Sequence, residues 1–130
     1  MKRKNSTTTT YIVLFVLVVA AIGFLVYPSV APGPSNLGPF ASCLKDKGVI
    51  FYGAFWCPHC QTQKKLFGDA VDQLPYVECS TPDGQGRLQI CVDKGIQGYP
   101  TWVFPDGSRL SGEVPLNTLA EKSSCTLPQQ

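Results

Sequence analysis

The chain has 130 residues, room for one domain and a short addition, and a formal charge of +2 at pH 7. Lys2, Arg3 and Lys4 supply three of the positives; from Asn5 onward eight basic residues face nine acidic ones. That balance, with no basic patch and no aromatic–basic interleaving, excludes nucleic acid as a partner and gives the folded part no charge for binding an anionic membrane surface.

Tyr11 to Tyr27 (YIVLFVLVVAAIGFLVY) is 17 residues without a charge. As a helix it spans about 25 Å, the short end of what crosses a bilayer, and Thr7–Thr10 can extend it at the interface. The reading is a transmembrane signal anchor over 11–27. Its positive flank lies upstream and no further cation follows until Lys45. The positive-inside rule then leaves residues 1–10 in the cytoplasm and the remainder outside, in the periplasm or at the cell surface. The alternatives are a signal peptide cleaved after Ser29-Val-Ala31, although Pro32 disfavours cleavage there, and a buried soluble helix, apolar all round. Residues 28–39 (PSVAPGPSNLGP) are rich in Pro, Gly and Ser and read as a semi-rigid linker. The domain, 40–125, is small for a single core, and residues 126–130 form a tail. Six cysteines, many for a cytosolic chain of this size, agree with an oxidising compartment.

Within the domain, Phe40–Lys47 predicts a short helix stopped by Gly48. Val49–Phe55, apolar and aromatic, predicts a buried strand. Pro58 suits the first turn of a helix, and Leu66, Phe67 and Ala70 extend that helix to Val71 by their spacing. Tyr76–Ser80 is a second strand and Thr81–Gly86 a turn. Arg87–Lys94 carries Leu88, Cys91 and Val92 at helical spacing. Thr101–Phe104 and Ser108–Glu113 flank the turn Pro105-Asp-Gly107 as a hairpin. Pro115–Cys125 closes with a helix. The order α-β-α-β-α-β-β-α predicts an α/β fold with a mixed sheet of about four strands and helices on both faces.

The informative junction is Trp56-Cys57-Pro58-His59-Cys60, where strand passes to helix. Cys57 falls at the helix N-terminus, where free N–H groups and the helix dipole favour a thiolate. His59 adds a donor or positive charge beside it. Cys60, one turn on, is placed to form a disulfide with Cys57, so the expected chemistry is thiol–disulfide exchange. The alternatives are an inert disulfide or half of a zinc site. Zinc would want a second Cys-x-x-Cys or a Cys/His pair at ligand spacing, whereas the other cysteines are scattered and the single histidine lies inside the motif. No metal and no cofactor beyond the redox-active disulfide is expected. Further on, Tyr99-Pro100-Thr101 places a proline directly before a strand, where a cis peptide would be useful.

These stretches together resemble the thioredoxin fold. More narrowly, Tyr52–Cys60, Pro75-Tyr-Val-Glu-Cys79 and Gly95–Trp102 resemble the thioredoxin-like domain fused to, or paired with, bacterial and plastid homologues of vitamin K epoxide reductase. The resemblance covers about residues 40 to 120. It implies catalytic Cys57 and Cys60, with Trp56, Pro58 and His59 shaping their reactivity, and a cis Pro100 facing the pair. It also implies that Tyr99, Pro100 and Thr101 bind the substrate peptide. Cys-Pro-His-Cys matches the oxidase DsbA. The implied activity is oxidation of protein dithiols, with recycling by a quinone-linked membrane partner of the vitamin K epoxide reductase or DsbB type. A reductase or isomerase of the same fold, or a non-catalytic binding module stapled by disulfides, are the alternatives. Cytosolic thioredoxins have a buried Asp where this chain has Phe51; Glu78 is the candidate acid in its place, or else a solvated strand residue. The related domains carry paired cysteines at positions corresponding to Cys79 and Cys91. Cys43 and Cys125 then remain for each other, a pairing that requires the first and last helices of the domain to share a face of the sheet.

Overall fold

The computed structural model describes residues 6–26 and 36–128, with side chains of the first stretch over 10–20. That stretch is one helix, α1 (Ser6–Val26). It begins five residues before the uncharged run, because threonine carries only a modest helix penalty. Over the described residues, no helix is long and apolar enough to cross a membrane. The basic residues at 2–4, the cleavage site at 29–31 and most of the 28–39 linker lie outside the described residues.

The second stretch opens with Leu37, which is buried, and α2 (Gly38–Asp46). The domain therefore starts before Phe40: Pro39, in the first turn, is pre-organised for a helix start. Next come β1 (Ile50–Gly53), α3 (Pro58–Lys65) and a 3-10 segment, Gly68–Gln73. The motif helix stops short of the expected Val71 because Gly68 adopts φ +55°, a left-handed conformation that an α-helix cannot continue through. β2 (Tyr76–Glu78), α4 (Gln89–Asp93), β3 (Thr101–Val103), β4 (Arg109–Ser111) and α5 (Leu116–Ser123) complete the order.

The four strands form one mixed sheet in the order β2-β1-β3-β4. β1 runs parallel to β2 and antiparallel to β3, and β3 is antiparallel to β4. This α/β arrangement is consistent with the thioredoxin-like fold that the resemblance implies. Alternation along β1 separates two packed layers. Phe51 joins the larger cluster with residues of α2, α3 and α5, whereas Tyr52 packs with Cys91 of α4 and with Ile96. Helices thus cover both faces, with α2 and α5 on the same one. At the centre Phe51 and Trp102 are register partners and stack at 4.5 Å between ring centroids. The shared face brings the Cα atoms of Cys43 and Cys125 to 5.9 Å, and the two are disulfide-bonded; Cys79 is bonded to Cys91.

Candidate active site

β1 ends at Gly53, and the chain turns through Ala54, Phe55 and Trp56 instead of continuing as the expected strand. The Cys57 N–H closes the turn on the Ala54 carbonyl at 3.0 Å. Phe55 and Trp56 are consequently about half exposed. Cys57 takes the N-cap position of α3 with extended backbone, and Pro58 occupies the first turn. The N–H groups of that turn lack intrahelical partners and mark the positive end of the helix dipole. Cys60 lies one turn further on, fully buried. Both are free thiols.

The second strand–loop junction meets them there. The Tyr99–Pro100 peptide bond is cis, and the Cys57 thiol donates to the Tyr99 carbonyl at 3.7 Å. The Trp56 ring stands edge-on to the Tyr99 ring at 6.2 Å, and its Nε1–H donates to Ser80 Oγ at 2.8 Å. Trp56 and Cys57 thus meet Tyr99, while Cys60 and Pro100 are fully buried.

Three expected residues have other surroundings. His59 Nδ1 lies 2.7 Å from Glu113 Oε1, so its ring is shared with a carboxylate and not offered to Cys57 alone. Thr101 is buried. Its hydroxyl donates to the Gly98 carbonyl at 2.9 Å, and its place in β3 is flanked by Tyr52 of β1 and Ser111 of β4. A residue of an inner strand has no open edge of its own, and the Thr101 hydroxyl ties β3 to the loop at Gly98. Glu78 Oε1 accepts from the backbone N–H groups of Phe55, Cys79 and Ser80, at 3.3, 3.1 and 2.8 Å. Its Oε2 accepts from the Tyr76 hydroxyl at 2.7 Å. The carboxylate therefore fastens the Phe55–Trp56 turn to the exit of β2.

Burial pushes the Cys60 thiol up to about 12; the backbone of Ala54 and the Lys64 ammonium pull the other way, while the neighbouring Cys57 adds to the rise. Burial and the bond to Glu78 likewise hold the Tyr76 hydroxyl protonated well above the usual phenol range.

Several contributors were not singled out from the sequence. Gln63, fully buried on α3, donates to the Val114 carbonyl at 3.0 Å and accepts from the Val114 N–H at 2.6 Å, fixing the motif helix to the segment before α5. Gly53 is where Cys60 and Tyr76 converge. A Cβ there would lie 2.8 Å from Tyr76 Cε2 and 3.0 Å from Cys60 Sγ. A glycine inside a strand is the sequence sign of such close approach. We expect Gly53→Ala to lower stability by about 1–3 kcal/mol, the usual cost of overpacking. Urea unfolding measures it, and an unchanged midpoint would show that the Tyr76 ring yields freely.

Among the described residues no group of three or more His, Cys, Asp or Glu side chains is arranged to hold a metal ion. The chain matches no family model. It is 43% identical over 104 residues to the thiol-disulfide oxidoreductase LTO1 of Arabidopsis thaliana, an alignment covering 73% of this chain and 27% of that protein. The chain therefore spans about a quarter of the length of this curated relative.

Proposed function

We propose that the chain is a membrane-anchored, extracytoplasmic thiol–disulfide oxidoreductase of the thioredoxin-like fold that oxidises protein dithiols through Cys57 and Cys60. The observation that carries the reading is the placement of Cys57. It heads α3 with its sulfur 3.7 Å from the Tyr99 carbonyl, and fully buried Cys60 stands one turn behind it. Cys57 is itself only 5% exposed, against 0% for Cys60, and that small opening at the helix start makes it the sulfur a partner would reach first.

In the oxidising direction the pair starts as a disulfide. A partner thiolate attacks Cys57 Sγ, the Cys57–Cys60 bond breaks, and Cys60 leaves as a thiolate that takes up a proton. A second partner thiolate then attacks the partner's own sulfur in the mixed disulfide. The partner departs oxidised by two electrons and the protein is left as the dithiol. One disulfide is spent per turnover, so a recycling oxidant is required. A quinone-linked membrane protein of the vitamin K epoxide reductase or DsbB type fits that need. The membrane anchor rests on the sequence, the uncharged run from Tyr11 to Tyr27 behind Lys2, Arg3 and Lys4.

The test uses the full chain from alkali-washed membranes, equilibrated in glutathione redox buffers. The expected result is recovery in the membrane fraction and a Cys57–Cys60 potential well above the roughly −270 mV of thioredoxin. A potential near that value reverses the direction to reductase or isomerase. A Cys57 that resists alkylation after mild reduction reduces the domain to a disulfide-stapled binding module.

A further inference from the structure

Lys64 lies behind the reactive pair and is unassigned by the function above. It follows Cys60 by four residues on α3, a spacing that puts both side chains on one side of the helix, and it is half-buried. Its Nζ sits 3.4 Å from the centroid of the Tyr76 ring. That ring meets Cys60 at the Gly53 hollow, where a single point lies 3.0 Å from Cys60 Sγ and 2.8 Å from Tyr76 Cε2. Tyr76 is fixed in turn by its bond to Glu78. The charged and titratable groups facing this sulfur are therefore Cys57 and Lys64 from α3, and Tyr76 with Glu78 from β2.

We propose that Lys64, held on the Tyr76 ring, is the positioning residue that lets the buried Cys60 sulfur exist as a thiolate during exchange. The inference rests on the exchange function proposed above. Cys60 carries negative charge in both directions of that reaction. It is the leaving group when a partner attacks Cys57. It is the nucleophile when it displaces a partner from the mixed disulfide. In the second case the Cys57–partner bond breaks and the Cys57–Cys60 bond forms. The partner leaves as a thiolate with the electron pair, and the proton that Cys60 gave up beforehand goes to water.

Burial opposes that ionisation, because a thiolate loses its hydration in a dry site. In the mixed disulfide Cys57 has neither charge nor S–H, so its own contribution against ionisation is gone. What remains against burial is the Ala54 backbone and the Lys64 ammonium. A lysine in water would be screened from this site. Docked on an aromatic face it is held close by the ring quadrupole, and the Glu78 bond keeps Tyr76 from rotating away.

The test is the reaction of the reduced full-length protein with 5,5′-dithiobis(2-nitrobenzoate), followed across pH. The first thionitrobenzoate released reports attack by Cys57; the second reports displacement by Cys60. Lys64→Met is expected to slow the second phase roughly fivefold between pH 6 and 8 and to move its pH profile upward, as loss of a nearby partly screened cation should. Lys64→Arg should restore the rate. Tyr76→Leu should repeat the defect, and Tyr76→Phe, which keeps the ring, should show much less of it. A second phase in Lys64→Met that superimposes on that of the unsubstituted protein at every pH overturns this inference alone. Absence of the first phase from the unsubstituted protein overturns the exchange function and this inference with it.

Discussion

Cys60→Ala converts the protein into a trap that accumulates mixed disulfides on Cys57, whereas Cys57→Ser leaves nothing to trap and lowers exchange by roughly a thousandfold or more. The asymmetry follows from position. Cys57 heads a helix beside the Tyr99 carbonyl and, in the proposed exchange, is the sulfur a partner meets. Cys60 is fully buried, and in the proposed exchange it displaces what Cys57 has captured. Serine at 57 keeps the shape but replaces a nucleophilic sulfur by a hydroxyl that cannot form a mixed disulfide. Alanine at 60 keeps the nucleophile and removes its displacing neighbour. Non-reducing electrophoresis and mass spectrometry of the adducts measure the outcome, and the adducts identify the partners. Turnover by Cys60→Ala at the unsubstituted rate would sink the two-sulfur mechanism.

The second large effect concerns stability. Removing the Cys43–Cys125 bridge with a pair of alanines is expected to cost about 4.5 kcal/mol, because it releases a loop of 82 residues in the unfolded chain. The same change at Cys79–Cys91 releases a separation of 12 and costs about 3 kcal/mol. Small domains have about 5–15 kcal/mol in all, so losing the longer bridge leaves this one marginal. Denaturant unfolding of the two double variants gives the comparison. Equal midpoints, or the reverse order, would show that native contacts and not chain entropy dominate.

The strands and the place of Cys57 at a helix start were legible because their signals are local. A run of apolar residues beside a turn marks β1, and proline one residue past Cys57 marks the helix start. What was not legible depends on partners distant in sequence. Phe55 looks like more strand, yet it turns outward, its N–H donating to Glu78, 23 residues on. The spacing of Leu66, Phe67 and Ala70 suggests one long helix, and only the backbone of Gly68 ends it. Helical periodicity tells which side of α2 and α5 is buried, but not which face of the sheet each covers. That is decided by the alternation of Phe51 and Tyr52 between two layers, and with it the reach of Cys43 to Cys125. The grouping of Gly53, Cys60, Lys64 and Tyr76 appears only once β2 pairs parallel to β1.

The two bridges also make the domain a covalent ring with a smaller ring inside it. Everything between residues 43 and 125 lies in the first, and everything between 79 and 91 in the second. The Pro82–Gly86 turn, largely exposed, belongs to both. A protease that nicks it leaves the two halves joined twice, at Cys79–Cys91 and at Cys43–Cys125. Such a cut would pass unnoticed on a gel run without reductant, and in an oxidising compartment the severed chain would keep its reactive sulfurs tethered to the same scaffold.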